Sequence, residues 1–283
     1  MGNSRWQLTG SSGQGVSHAQ CLIRALIMGV RAELDLTPKP GLVDRLDSGS
    51  HQDLDYALMV RSIDLLEEYY QECVLGLSRG QPLAWFRELG IAAEIRMLRT
   101  FGTNTHRGVI FLGSLLLIAV YEAGGVDSRM VSTAVATNSR RLFNMAMPLN
   151  TIGGETRSRY QAGGIVEEAM NGLPTLFHIG VPALQEARQQ GLSPMDGQFL
   201  ALARLMQTVN DTTALRRCGP AGLRRLVRDG IELEVLLRDR GDPLPLLGEL
   251  NRQYRELHLT MGGVADLLAM SIAWTLFSGG EET

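Results

Sequence analysis

Apolar residues recur at three- and four-residue steps along most of the chain. Within residues 19–34, for example, Leu22, Leu26 and Val30 follow this spacing, which places them on one face of a helix. Similar patterns predict helices over residues 54–77, 82–98, 106–122, 128–146, 174–190, 194–209, 220–237, 244–258 and 264–277. No convincing run shows the two-residue alternation that is typical of a strand. The sequence therefore predicts an all-α fold, a single multi-helix domain of ten or more helices.

Two of the predicted helices, over residues 109–121 and 267–277, are apolar on nearly every face. Helices of this kind lie in the interior of a helical assembly, so we expect them to be buried central helices. Each follows a polar, glycine-containing motif, at residues 103–108 and 261–266. Helix N-termini present free amide protons and partial positive charge. Several such termini gathered in one place would suit the phosphate groups of a ligand.

Two segments lack a clear helical pattern. Residues 1–16 are polar and rich in glycine and serine, and we expect a flexible tail there, followed by an all-helical catalytic domain over residues 17–283. Residues 144–164 have a weak helical pattern and four glycines, which indicates a loop over a site.

Composition narrows the class of protein. The net charge of −3 over 283 residues argues against a nucleic-acid-binding surface. The longest apolar run is too short to cross a bilayer, and no signal peptide is indicated. Three widely spaced cysteines form no CxxC pair. We expect a cytoplasmic protein that binds neither nucleic acid nor membrane, and a homodimer is one of the oligomeric states left open.

Residues 36–55 carry the first group of candidate functional side chains. Lys39 is the one lysine of a chain with 26 arginines, and two prolines and a glycine stiffen its surroundings. Lys39 and Arg45 can neutralise phosphate charge. The lysine acts as a point charge, and the planar guanidinium group of the arginine can donate two parallel hydrogen bonds. Codon bias is the competing explanation for the single lysine.

Acidic side chains accompany these cations. Asp44, Asp53 and Asp55 offer the hard oxygen ligands that Mg²⁺ prefers. His51 and Asp55 would share one helix face if a helix began near Ser50. A plain helix start with a capping serine and surface acids is the competing interpretation.

A second group lies at residues 100–108. Thr103, Asn104, Thr105, His106 and Arg107 precede an apolar helix that needs only one of them as a cap.

Glu94 precedes this group on a mainly apolar helix. Partial burial there would raise the pKa of its carboxyl group. A surface acid on a helix with a wide apolar face is the alternative.

Two further segments contain glycine or aspartate at predicted helix starts. Asp211 could cap a helix, hold a metal or bind a ribose hydroxyl. Gly262 and Gly263 would let the backbone approach a ligand closely. Asp266 opens a buried helix, where a carboxylate complements the helix dipole even without a ligand.

Taken in order, the segments TPKPGLVD with SGSHQDLD, GTNTHRG, NDTTALRR and GGVADLLA resemble the triphosphoribosyl-dephospho-CoA synthases. The resemblance extends from about Glu33 to Ala273, and the first and second motifs are specific in combination. The Gly172-Leu173-Pro174 step after Glu168 also fits the family.

This resemblance implies an all-helical transferase whose substrates are ATP and 3′-dephospho-CoA. It would release adenine and join the triphosphoribosyl unit to the 2′-hydroxyl of the acceptor ribose. The product would be the prosthetic-group precursor for the acyl-carrier subunit of citrate lyase or malonate decarboxylase. The implied cofactor is Mg²⁺, with Asp53, Asp55 and Asp211 as metal ligands.

The resemblance also suggests roles for individual residues. The catalytic candidates are His51, Asp53, Asp55 and Glu94. The substrate-binding candidates are Lys39, Asp44, Arg45, Asn104, His106, Arg107, Glu168, Asp211, Gly262, Gly263 and Asp266.

The chain departs from the family pattern at four positions. Lysine is expected at Arg107, arginine near Val166, proline at Met261 and serine at Val264. These differences leave open a relative that uses another acceptor or water. A helical protein that binds a nucleotide without turnover is a further alternative.

Overall fold

The computed structural model describes residues 12–144, 156, 159–160 and 162–279, and all regular secondary structure within them is helical. The all-α prediction is confirmed. The helices, in chain order, are α1 Ser12–Asp35, α2 Tyr56–Ser78, α3 Leu83–Phe101, α4 Arg107–Ala123, α5 Ser128–Asn144, α6 Gly164–Met170, α7 Val181–Gln189, α8 Pro194–Thr208, α9 Thr212–Arg238, α10 Leu244–Leu257 and α11 Gly262–Gly279. A π-helical turn, Leu176–Gly180, leads into α7.

The two helices predicted to be central are central. Most of α4 and α11 is buried, and α11 packs against α1, α4, α7, α8 and α9. The backbones of α1 and α11 approach closely because Gly29 has no side chain: a Cβ there would collide with the Ala269 carbonyl. Within the described residues, α11 alone has the length and apolar composition of a candidate membrane span, and more than half of it is buried in the protein.

Some helix boundaries differ from the prediction. α1 begins at Ser12, so residues 12–16 belong to it rather than to the tail, while residues 1–11 lie outside the described part. α9 begins at Thr212, well before the predicted start at Pro220. Gly219 has a φ of +61° and interrupts that helix, which is how a proline is accommodated inside it.

The start of α2 corrects the expected arrangement of His51 and Asp55. The helix begins at Tyr56, and Asp55 is its N-cap, accepting a hydrogen bond from the Leu58 backbone nitrogen at 2.7 Å. Ser50 caps no helix here; its hydroxyl donates to the backbone oxygen of Leu259 at 2.6 Å. His51 therefore lies in a loop, and the two side chains do not share a helix face.

The predicted loop at residues 144–164 is largely outside the described residues. Gly164, with a φ of +56°, begins α6. A role for this segment over a site stays a prediction.

Candidate active site

Hydrogen bonds join the segment of residues 36–55, here called the Lys39 loop, to the other polar segments. The Thr103 hydroxyl donates to the Asp53 carboxylate at 2.8 Å. Arg217, on α9, donates to the Ser50 backbone oxygen at 2.7 Å. The ring of His51 lies 3.1 Å from the hydroxyl of Thr260, just before α11. Polar segments that are far apart in sequence thus meet on one side of the helical core.

The N-termini of α9 and α11 are held together by one carboxylate. One oxygen of the buried Asp211 accepts hydrogen bonds from the backbone nitrogens of Thr213 and Ala214 at 2.8 and 2.9 Å. Its other oxygen accepts from Val264 at 3.0 Å. Burial raises the pKa of Asp211, whereas these backbone donors lower it. Asp211 is therefore a shared helix cap, which is one of the roles that its sequence context predicts.

Asp266, in the first turn of α11, faces the first turn of α4. A Cβ on Gly108 would collide with the Asp266 carboxyl group, so the glycine makes room for it. Burial raises the pKa of Asp266 far above its usual range, and the charges of Asp211 and Glu33 raise it further. Among the described residues, no hydrogen-bond donor lowers the pKa of Asp266, in contrast to the backbone donors around Asp211.

Lys39 is fully buried rather than exposed to a ligand. Its ammonium group donates to the carboxylate and to the backbone oxygen of Glu33, at the end of α1. Burial raises the pKa of Glu33, and the Lys39 charge lowers it. Glu33 was not among the predicted site residues. The signal that could have identified it is that a buried lysine requires a carboxylate partner.

Asp44 and Arg45 lie near Lys39 but have different surroundings. Asp44 is buried and accepts from the Lys39 backbone nitrogen at 2.8 Å and from the Leu46 nitrogen at 2.7 Å, which fixes the turn. Arg45 is exposed, pairs with Asp35 at 2.9 Å, and lies over the ring of Tyr56. Asp44 thus has a structural role, and Arg45 remains accessible.

Glu94 and Arg107 form a pair beside the start of α4. The Glu94 carboxylate lies 3.2 Å from Arg107 Nε and 3.3 Å from the amide nitrogen of Asn104. Burial raises the pKa of Glu94, which confirms the direction expected from its apolar helix. The amide oxygen of Asn104 is buried and has no hydrogen-bond partner among the described residues. An unpaired acceptor of this kind is available to a ligand donor.

The two histidines of the site are neutral. Burial lowers the pKa of His51 to about 4, with further lowering from Arg217. Burial also lowers the pKa of His106 to about 4. His106 is the residue before the first turn of α4, and its ring lies 3.5 Å from the Met59 backbone oxygen. Neither ring would carry charge to a phosphate near pH 7.

The predicted metal ligands are not brought together. In the part of the chain that the structure describes, no three His, Cys, Asp or Glu side chains form a group that could hold a metal ion. Asp53 is exposed beside Thr103, Asp55 caps α2, and Asp211 caps α9 and α11. A magnesium site built from all three stays a prediction.

Glu168 and the glycine pair occupy separate positions. Glu168 accepts hydrogen bonds from the backbone nitrogen and the hydroxyl of Thr175, at 2.6 and 2.9 Å, which ties α6 to the following π-helical turn. Gly262 and Gly263 begin α11, where added Cβ atoms would lie 3.1 Å from Thr213 Oγ1 and from Asp211 Oδ2 respectively. Both glycines thus allow the close packing of α11 against α9.

Two of the departures from the family pattern are buried. Met261 and Val264 have no exposed surface and belong to the apolar core. Their differences from the expected proline and serine therefore alter packing rather than an open binding surface. Val166 and Arg107 keep exposed surface.

Comparisons with known proteins agree with the motif resemblance. Residues 19–282 match the family model described as ATP:dephospho-CoA triphosphoribosyl transferase. A probable 2-(5''-triphosphoribosyl)-3'-dephosphocoenzyme-A synthase of Pseudomonas putida is 37% identical over 265 residues, which cover 90% of this chain and 93% of that protein. The 2-(5''-triphosphoribosyl)-3'-dephosphocoenzyme-A synthase of Klebsiella pneumoniae is 35% identical over 251 residues, covering 85% and 88% respectively. No solved structure matches significantly. With this family match over nearly all of its length, the chain belongs to the ATP:dephospho-CoA triphosphoribosyl transferase family.

Proposed function

We propose that this protein transfers the triphosphoribosyl unit of ATP to the 2′-hydroxyl of 3′-dephospho-CoA and releases adenine. Family membership over residues 19–282 supports the reaction class. The observation that carries the chemistry is the placement of two carboxyl groups with raised pKa at the first turn of α4: Glu94 lies 3.2 Å from Arg107, and Asp266 packs against Gly108. Transfer at a glycosidic carbon commonly uses two carboxyl groups, one protonated as the acid and one ionised as the base or cation stabiliser.

The reaction breaks the bond between C1′ of the ATP ribose and the purine nitrogen and forms a bond from C1′ to the acceptor oxygen. Asp266, whose raised pKa favours the protonated form, donates a proton to the departing adenine. Glu94, which lies beside the cationic Arg107, accepts the proton of the attacking hydroxyl. A carboxyl group whose pKa lies closer to neutral pH suits such transfers in either direction. Positive charge that develops at C1′ is stabilised by the ionised carboxylate.

The triphosphate remains attached to the ribose and serves as a binding handle. Arg107 is exposed for nearly half of its side chain and stands at the α4 N-terminus, where no side-chain cap occupies the backbone amides. Mg²⁺ usually binds through one or two carboxylates together with substrate phosphates. Asp53 is an accessible carboxylate in this region and would hold a magnesium ion that arrives with ATP. The ion would neutralise part of the charge of the phosphates.

A different acceptor is the second candidate. The departures from the family pattern suggested it, but Met261 and Val264 are buried and do not line an open surface. Val166 keeps exposed surface, so the missing arginine near it is the departure that favours another acceptor, whereas family membership favours dephospho-CoA. Extending the family resemblance, we propose that the product serves prosthetic-group synthesis for citrate lyase or malonate decarboxylase, in the cytoplasm.

The test is incubation with ATP, Mg²⁺ and dephospho-CoA, followed by chromatography for adenine and mass spectrometry of the nucleotide product. We expect adenine and an adduct of the two substrates minus adenine, in equal amounts. Adenine formed equally well without dephospho-CoA would indicate hydrolysis. ATP binding without adenine under both conditions would indicate a non-catalytic nucleotide-binding protein.

A further inference from the structure

Two open cavities of about 420 and 530 Å³ lie along α10 on the side that faces the Lys39 loop. Each is within the size range of small-molecule sites. Arg252 and Arg255 line both cavities, so the two are neighbours along the helix. α10 has 14 residues and is therefore about 20 Å long. We call this feature the α10 groove.

The two ends of the α10 groove differ in polarity. At one end Leu46 and Leu244 are 72% and 41% exposed, which is high for large apolar side chains in the wall of a cavity. At the other end the wall is formed by residues 49–52, including Ser50 and His51. The ring of His51 lies 3.1 Å from the hydroxyl of Thr260, so this end adjoins the segment that leads into α11. The groove thus passes from exposed leucines, past two guanidinium groups, to the His51 part of the Lys39 loop.

We propose that the α10 groove binds the acceptor, a nucleoside diphosphate with a long pantetheine arm. The pyrophosphate lies on Arg252 and Arg255, the arm extends over Leu46 and Leu244, and the ribose with its 2′-hydroxyl points towards His51. This assignment rests on the proposed function, because it takes dephospho-CoA as the acceptor. A guanidinium group can donate two parallel hydrogen bonds to phosphate oxygens, and its positive charge complements theirs.

Both arginines already have carboxylate neighbours. Arg252 pairs with Glu249 at 2.6 Å and with Glu256 at 2.5 Å, and Arg255 pairs with Asp47 at 3.1 Å. Both guanidinium side chains are more than half exposed, so these ion pairs contribute little to folding. A pyrophosphate competes with these carboxylates for the same donors. Removing a competing carboxylate should therefore strengthen binding.

Calorimetric titration of the full chain with dephospho-CoA tests this assignment. Arg252→Gln and Arg255→Gln should each weaken binding by about tenfold or more. Leu46→Asp should weaken dephospho-CoA binding by about tenfold and leave the binding of ADP, which lacks the arm, within about twofold. Glu256→Gln, which removes a competitor of Arg252, should tighten binding of both ligands.

Two surface variants serve as matched controls. Leu257→Asp changes an exposed leucine of α10 that lines neither cavity, and Arg238→Gln changes an exposed, carboxylate-paired arginine of α9. Both should bind dephospho-CoA as the wild type does. Circular dichroism would verify that every variant is folded.

Unchanged affinity in the Arg252, Arg255 and Leu46 variants, with adenine still released in the presence of dephospho-CoA, would overturn the groove assignment alone. Equal loss of ADP and dephospho-CoA binding in Leu46→Asp would also overturn it, because the arm would then have no separate subsite. A wild-type protein that neither binds dephospho-CoA nor releases adenine would overturn the groove assignment and the proposed function together.

Discussion

One carboxylate oxygen of Asp211 lies 3.0 Å from the backbone nitrogen of Val264, so the side chain that caps α9 also caps α11. Its other oxygen accepts from two nitrogens of α9. A single buried group thus fixes the relative position of two helix N-termini at the candidate site.

Asp211→Ala should lower the free energy of unfolding by about 2 to 3 kcal/mol, since an ordinary cap contributes about 1 kcal/mol and this one serves two helices. Ser193→Ala is the control, because Ser193 caps only α8. Urea unfolding of both variants gives the comparison. Equal losses in the two would show that the bond to Val264 adds nothing.

Because the Lys39 ammonium pairs with buried Glu33, we expect replacement of Lys39 to lower the free energy of unfolding and not only to weaken ATP binding. Lys39→Met leaves the Glu33 carboxylate buried without its cation and should cost about 3 to 5 kcal/mol. The double variant Lys39→Met/Glu33→Leu should recover much of that loss. A Lys39→Met protein that is as stable as the wild type but binds ATP poorly would instead support direct contact with phosphate.

Through Asp266, the free energy of unfolding should fall as pH rises. Its pKa is higher in the folded than in the unfolded chain, so the folded state retains the proton longer. The stabilisation is complete below the ordinary carboxyl pKa and is lost as pH rises through the raised value. Asp266→Asn should flatten that decline in urea-unfolding measurements at several pH values. Asp64→Asn, at an exposed position of α2, should leave the decline unchanged.

Through His106, by contrast, the free energy of unfolding should fall as pH decreases. Its pKa falls from 6.5 to about 4 on folding, so the unfolded chain takes up the proton first as pH falls. The protein should lose up to about 3 kcal/mol of stability between these values through this group. His106→Gln should reduce the slope of unfolding free energy against pH, whereas His178→Gln, at an exposed position, should not. Equal slopes in the two variants would place the acid sensitivity elsewhere.

The sequence predicted the helices because their signal is local. Apolar spacing within a stretch such as residues 19–34 identifies α1 without knowledge of its neighbours. The start of α9 was missed because Pro220 resembles a first-turn residue, and the break at Gly219 depends on a backbone conformation that spacing does not reveal.

The site could be predicted only as a set of segments. The polar segments that the motifs identified do meet, through contacts such as Thr103 with Asp53. Which side chain faces solvent depends on contacts between residues that are far apart in the sequence. Arg217 binds the Ser50 backbone across 167 positions, and no local pattern carries that information. For the same reason the burial of Lys39 against Glu33 became visible only in the fold.

If transfer takes place at the N-terminus of α4, removing the Glu94 carboxylate should slow adenine release. Glu122 is the matched control, because it lies near the other end of the same helix and burial also raises its pKa. With ATP, Mg²⁺ and dephospho-CoA, we predict that Glu94→Gln releases adenine at least about a hundredfold more slowly than the wild type. Glu122→Gln should retain the wild-type rate. Wild-type adenine release by Glu94→Gln would contradict the account.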